Sequence, residues 1–179
     1  MVIEDWGGSL RRRAVSFLPL VSGVALVLVT STPLYFGHVG DVAPRLGVTA
    51  VIFWTVYRPD LLGYGSAFCL GIVADLMTGL PLGITALVLV MVRHGVVTRR
   101  RYFLRKSFHI VWAEYALVVI AAVVIDWMLA ALYLWSYPGL LVHVFQVLLT
   151  VALFPGVYWL LARCQDLVSL AGRQPAGSG

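Results

Sequence analysis

The sequence predicts an all-α, polytopic membrane protein, a bundle of six transmembrane helices, on three observations. First, 61% of the 179 residues are hydrophobic and only 12% are charged, against about 25% charged residues in ordinary soluble domains. Too few charges remain to cover a surface facing water, and mean hydropathy is correspondingly high at +0.94. Second, the apolar residues gather into six runs, most of them close to the roughly 17–25 residues that cross a bilayer as a helix. Third, Lys and Arg fall almost entirely between alternate runs, the pattern that sets orientation in a membrane.

The first run covers residues 14–35. It follows Arg11, Arg12 and Arg13, as a signal peptide would, but it continues to Thr30 without a small-x-small cleavage site and is read as a retained helix. The second run, residues 43–57, is short. The third covers 61–78, the fourth 81–98, the fifth 108–135 and the sixth 140–163. Residues 1–13 form a basic leader, 14–163 the transmembrane domain and 164–179 a tail whose end, "GRQPAGSG", has the composition of disorder.

Charge orients the bundle. With the N-terminus inside, 11 of the 13 basic residues lie on the cytoplasmic side: Arg11 to Arg13, Arg58, the cluster from Arg99 to Lys106, Arg163 and Arg173. Six spans then place both termini in the cytoplasm. Arg93 sits near the inner end of the fourth run, from where it can snorkel to water. Only Arg45, near Asp41, falls outside. The net charge of +5 is therefore a topological signal and implies no nucleic-acid partner. Rings support the fifth boundary, with Trp112 and Tyr115 at its inner start and Tyr133, Trp135 and Tyr137 at its outer end. Glu114 then lies near the inner interface.

Several features carry structure rather than chemistry. Gly63, Ala67, Gly71 and Asp75 recur every four residues down one side of the third helix. Small residues at this spacing let helices approach closely in lipid, within the bundle or against a partner's membrane helix. In "RPD", Pro59 suits the start of a helix, Asp60 its first turn, and Arg58 the cytoplasmic side. The loop "TRRRYFLRK" (98–106) fits topology and contact with anionic lipid, or docking of a cytoplasmic partner. His38, His94 and His109 have no metal spacing, and Cys69 and Cys164 read as small apolar residues. No nucleophile–base pair, phosphate loop or metalloprotease motif is present in the sequence, and no cofactor is expected.

Asp75 stands apart. It lies 14 residues beyond Leu61, about 21 Å along a helix at about 1.5 Å per residue. Asp126 lies 14 residues beyond Trp112, at the same estimated depth, and His143 enters from the other side. A carboxylate inside a membrane faces protein and needs partners. The N–H groups opening the fourth helix, after the turn of Gly79, Pro81 and Gly83, are the nearest donors. Asp75 is thus expected to cap that helix, with Asp126 and His143 meeting on the same level. The alternative is that Asp75 reaches water at the outer face.

The stretch "VYRPDLLGYGSAFCLGIVADLMTGLPLGITAL" (56–87) resembles the rod shape-determining protein MreD family. The positions that carry the resemblance are Tyr57, Arg58, Pro59, Gly71, Asp75, Gly79, Pro81, Gly83 and Leu87. The resemblance implies a non-enzymatic component of the elongation machinery in the bacterial inner membrane. It implies direct pairing with MreC, and work with MreB, RodA and the elongation-specific penicillin-binding transpeptidase. It also implies a fold similar to the substrate-binding components of energy-coupling-factor transporters. That likeness supplies an alternative function, a vitamin-type small-molecule-binding component.

Overall fold

The computed structural model describes residues 5–30, 34–35, 41–79, 81–103, 108–134 and 139–172, with side chains described within 17–30, 42–79, 81–100, 109–133 and 139–166. Six helices follow one another: α1 (Asp5–Thr30), α2 (Leu46–Tyr57), α3 (Tyr64–Thr78), α4 (Ile84–Phe103), α5 (Phe108–Leu134) and α6 (Leu140–Gly172). A two-residue antiparallel ladder, β1 (Leu34–Tyr35) with β2 (Asp41–Val42), sits between α1 and α2. Among the described residues the fold is all-helical apart from this ladder.

Consecutive helices alternate in direction, as contacts along the chain show. Trp54 donates to Ser22 Oγ at 2.9 Å, while Gly47 meets Val27, so α1 and α2 run antiparallel. Tyr57 and Tyr158 share a hydrogen bond of 2.6 Å and Gln146 reaches Ala43, so α2 and α6 run parallel. One end of the bundle carries Arg58, Arg93, Arg100 and Arg163. The other carries Thr30, Arg45, Thr78 and Thr85.

At the centre is α2. Every residue from Leu46 to Val56 is buried, and the helix packs against all five others. A helix hydrophobic all round needs such a position. Its 12 residues make roughly 18 Å at about 1.5 Å each, so it does not span a hydrocarbon layer of about 30 Å by itself. Of the six expected spans, α5 and α6 are long and apolar enough to cross a membrane; α2 and α3 are shorter apolar helices. Large apolar side chains on α5 and α6, among them Leu117, Met128, Leu132, Leu141 and Leu148, face outward.

The expected boundaries shift in ways the local chemistry explains. α1 begins at Asp5, taking in residues assigned to the leader, and ends at Thr30. α3 starts at Tyr64, not Leu61, because residues 58–62 fold as a turn closed by bonds to Arg58 O from Leu61 N and Leu62 N. Asp60 is therefore outside the first turn of α3 and pairs with Arg58 at 3.5 Å. α4 starts at Ile84, three residues beyond Pro81, and its helical turns run through residues 98–103, which charge and hydropathy read as loop. α6 continues past Arg163 to Gly172. Tyr115, expected at the interface, is fully buried: its ring stacks on Phe154 and its hydroxyl bonds Thr49 at 2.7 Å. His38, Arg105, Lys106, Trp135, Tyr137, Arg173 and the end of the tail lie outside the described residues, as do the side chains of Arg11, Arg12, Arg13, Asp41 and Arg101.

Candidate functional site

The polar groups concentrate at two levels of the bundle. At the basic end, α4 supplies cations to carbonyls that α2 leaves unpaired. Arg100 Nε donates to Val56 O at 2.6 Å and Arg100 Nη2 to Tyr57 O at 3.5 Å. Nearly two turns earlier, Arg93 Nε donates to Leu62 O at 2.6 Å and Nη2 to Pro59 O at 3.3 Å. The Arg93 guanidinium lies 3.9 Å from the Tyr64 ring centroid. Cations suit the negative end of a helix. Arg93 therefore does not snorkel to water: it is 7% exposed, and the 58–62 turn supplies the acceptors.

Toward the other end, the α3–α4 hairpin closes tightly. Gly79 ends α3 in the left-handed conformation (φ 68°) and Gly83 precedes α4 at φ 106°, backbone that glycine adopts without the Cβ clash. Between them the chain reverses, and Gly71 comes against Ala86. A Cβ on Gly71 would overlap Ala86 Cα and sit 2.5 Å from Ala86 N. Ala67 and Asp75 are also fully buried on this stripe. Gly63 is not part of the contact: it is the exposed residue before α3, with open space where a side chain would stand.

Asp75 Oδ2 accepts the Gly83 N–H at 2.8 Å and Oδ1 accepts the Thr85 N–H at 3.0 Å. The carboxylate thus bonds the first N–H groups of α4 across the turn and does not reach water. Pro81 lies just before this start and its carbonyl accepts from Ile84 N. Thr85 then extends the chain of contacts, its hydroxyl donating to Asp126 Oδ1 at 3.3 Å. Asp126 Oδ2 pairs with Arg45 Nη2 at 2.5 Å. Arg45 N donates to Thr150 Oγ1, and Gln146 Nε2 donates to Ala43 O at 2.9 Å. One polar system therefore joins α3, α4, α5, α6 and the segment leading into α2.

Asp126 does not meet His143. The imidazole Nδ1 lies 3.2 Å from Gly139 O, one turn upstream, and the ring packs edge-on to Trp127. Arg45 takes the place expected of histidine. Its signal in the sequence is its isolation: it is the one basic residue placed on the side otherwise free of them. Thr85, Thr150 and Gln146 carry no such signal, since single polar residues in apolar helices are common.

Because α2 begins deep in the bundle, a cavity of about 370 Å³ remains above its first turn. Arg45, Leu46, Thr30, Thr78, Thr85 and Gln146 are among its lining residues. Among the described residues no group of three or more His, Cys, Asp or Glu side chains could hold a metal ion.

Architecture and site together define a class: a helical membrane protein organised around a buried structural polar network. The family model of the rod shape-determining protein MreD matches residues 11–164, and the chain belongs to that family. The family is a shape-determining component and not a known enzyme family. Comparison with curated proteins and with solved structures gave no match.

Proposed function

We propose that this chain is a non-enzymatic component of the elongation machinery in the bacterial inner membrane. It pairs with MreC and helps couple the MreB cytoskeleton to lateral peptidoglycan synthesis, in a larger assembly with RodA and the elongation-specific transpeptidase. The observation that carries the reading is the family match across residues 11–164. The outward apolar faces of α5 and α6 offer surface for lipid and for a partner's membrane helix. Both termini are assigned to the cytoplasm on the charge bias, together with the alternation of helix direction.

The alternative, a vitamin-type binding component of a transporter, rests only on the likeness of fold that the family resemblance implies, and no solved structure matches the chain. Fold alone does not specify function, so the shape-determining reading is preferred. The test is depletion of the protein in a rod-shaped cell, with co-purification against the host's MreC in detergent. Rounding of the cells and recovery of MreC are expected. Normal rods on depletion, with no MreC recovered, would overturn the proposal.

A further inference from the structure

The apolar surface of the bundle has two heights. On α5 the large outward-facing side chains run from Ile110 to Leu132, about 33 Å at about 1.5 Å per residue. On α6 they run from Leu140 to Leu160, about 30 Å. Both bands match a hydrocarbon layer of about 30 Å. The α3–α4 hairpin is shorter. The whole of α3, from Tyr64 to Thr78, covers about 21 Å, and its outward apolar side chains run only from Phe68 to Met77. On α4, Leu87 and Met91 face outward, and polar groups follow at once. Exposed Tyr64 and His94 share a hydrogen bond of 3.2 Å, and Thr98 and Arg99 are exposed beyond them. At the opposite end the chain turns back at Gly79, where Leu82 extends the band by the depth of the turn.

The shortfall lies at the end away from the arginines. Thr85, at the start of α4, donates to Asp126, so the two share a level. From there α5 continues outward about 9 Å to Leu132. Gln146 meets Ala43 ahead of α2, and Leu140 opens α6 about 9 Å beyond that level. The hairpin has no freedom to make up the difference. Asp75 ties α3 to Gly83 and Thr85, and Gly71 lies against the Ala86 backbone, so neither helix slides along the other.

A short apolar segment is accommodated by thinning of the bilayer, by snorkelling of flanking side chains or by association with another helix. Snorkelling needs long polar side chains, and the described residues of the turn are Gly79, Pro81, Leu82 and Gly83. Close association in lipid favours small residues, whereas Phe68, Leu76, Leu82, Leu87 and Met91 project from this face.

We propose that the α3–α4 hairpin thins the bilayer beside it by about 5–10 Å, in the leaflet away from the arginine-rich end. The partner that fits this face is lipid with short acyl chains, while the α5–α6 face meets a bilayer of ordinary thickness. The proposal rests on the chain being a membrane protein and is independent of its part in shape determination.

The test uses the full chain in bilayers of phosphatidylcholine with dimyristoleoyl, dioleoyl or dierucoyl chains, in order of increasing thickness. Leu82→Cys and Thr98→Cys, each combined with Cys69→Ala and Cys164→Ala, carry a spin label at either end of the hairpin, about 24 Å apart. Their depths are read from accessibility to oxygen and to a water-soluble nickel chelate. Both labels are expected at the headgroup boundary in dioleoyl lipid, which two sites so close together can reach only where the hydrocarbon has thinned. The unfolding midpoint of the unsubstituted chain, which does not depend on the variants folding, should be at least about 3 °C higher in dimyristoleoyl than in dierucoyl lipid. Either label at hydrocarbon depth in dioleoyl lipid overturns the proposal, as does a midpoint that is flat or highest in dierucoyl lipid. A dimer in which the Leu82 label loses contact with lipid also overturns it, and assigns the face to a second copy of the chain.

Discussion

Gly71 and Ala86 hold α3 and α4 in backbone contact: a Cβ added to Gly71 would overlap Ala86 Cα and come within 2.5 Å of Ala86 N. Neither atom is the flexible end of a side chain, so relief requires the helices to separate. Gly71→Leu is expected to destabilise the protein by about 3 kcal/mol or more, at the upper end of overpacking costs. Leu70 is no neutral control, since it is fully buried and packs on Gly23. Cys69→Leu, at an exposed position on the same helix, should leave the thermal unfolding midpoint in detergent nearly unchanged. Equal losses from the two would remove the special role of Gly71.

Asp75 uses both carboxylate oxygens on backbone N–H groups. Asp75→Asn keeps one acceptor and turns an NH2 group toward the other donor. Asp75→Leu keeps neither. Each buried donor left unpaired costs about 1–3 kcal/mol, so the loss should grow from asparagine to leucine. Chemical unfolding of the two variants in the same detergent tests the order, and the reverse order would contradict the cap.

Arg45 and Asp126 form an ion pair within the buried network, with side chains 16% and 3% exposed. Removing one partner strands the other charge, at about 3–5 kcal/mol. Asp126→Leu or Arg45→Met alone should therefore be severe. The double substitution should recover a large part of the loss, and a double-mutant cycle measures the coupling. Additive losses would show that the pair has no mutual dependence.

Arg93 and Arg100 bond the carbonyls at and beyond the C-terminal end of α2. Arg93→Lys preserves the charge but not the directed donors or the stacking on Tyr64, so it should not restore wild-type stability. Hydrogen exchange provides the local readout, with faster exchange expected in residues 54–62. Full protection in Arg93→Lys would show that charge alone suffices.

Orientation is testable by reporter fusions. Fusions following Arg58, Phe103 and the C-terminus should report the cytoplasm. Phe103 is the suitable junction after the fourth span because α4 runs on to it. A periplasmic signal after Phe103 would overturn the orientation.

What the sequence made legible follows from the range of each interaction. Six helices could be read because hydropathy and charge act along the chain, and Asp75 could be assigned its partners because the turn to Gly83 and Thr85 is short. The meeting of Asp126 with Arg45 joins residues far apart in sequence, and only packing decides it. Depth estimates put Asp126 and His143 on one level, but level says nothing of which helix faces which. The burial of Tyr115 was hidden for a similar reason: a ring near the start of a span suits either a headgroup or a core, and its contact with Thr49 depends on where α2 lies. The starts of α3 and α4 shifted because the residues around Pro59 and Pro81 bond as turns, which hydropathy does not register.

The central position of α2 bears on how the chain is made. A helix of 12 residues enclosed on every side cannot be an independent first-stage unit of membrane assembly, the stage at which separately stable helices are set across the bilayer before they associate. It emerges from the ribosome before α3, α4, α5 and α6, which supply most of its enclosure, and before Arg100, which bonds its final carbonyls. Until α4 is synthesised, α2 has only α1 and α3 to pack against, and we expect it to be open to membrane proteases. Nascent chains arrested after Thr78 should accordingly be degraded faster than chains arrested after Phe103, although the shorter chain already contains the whole of α2.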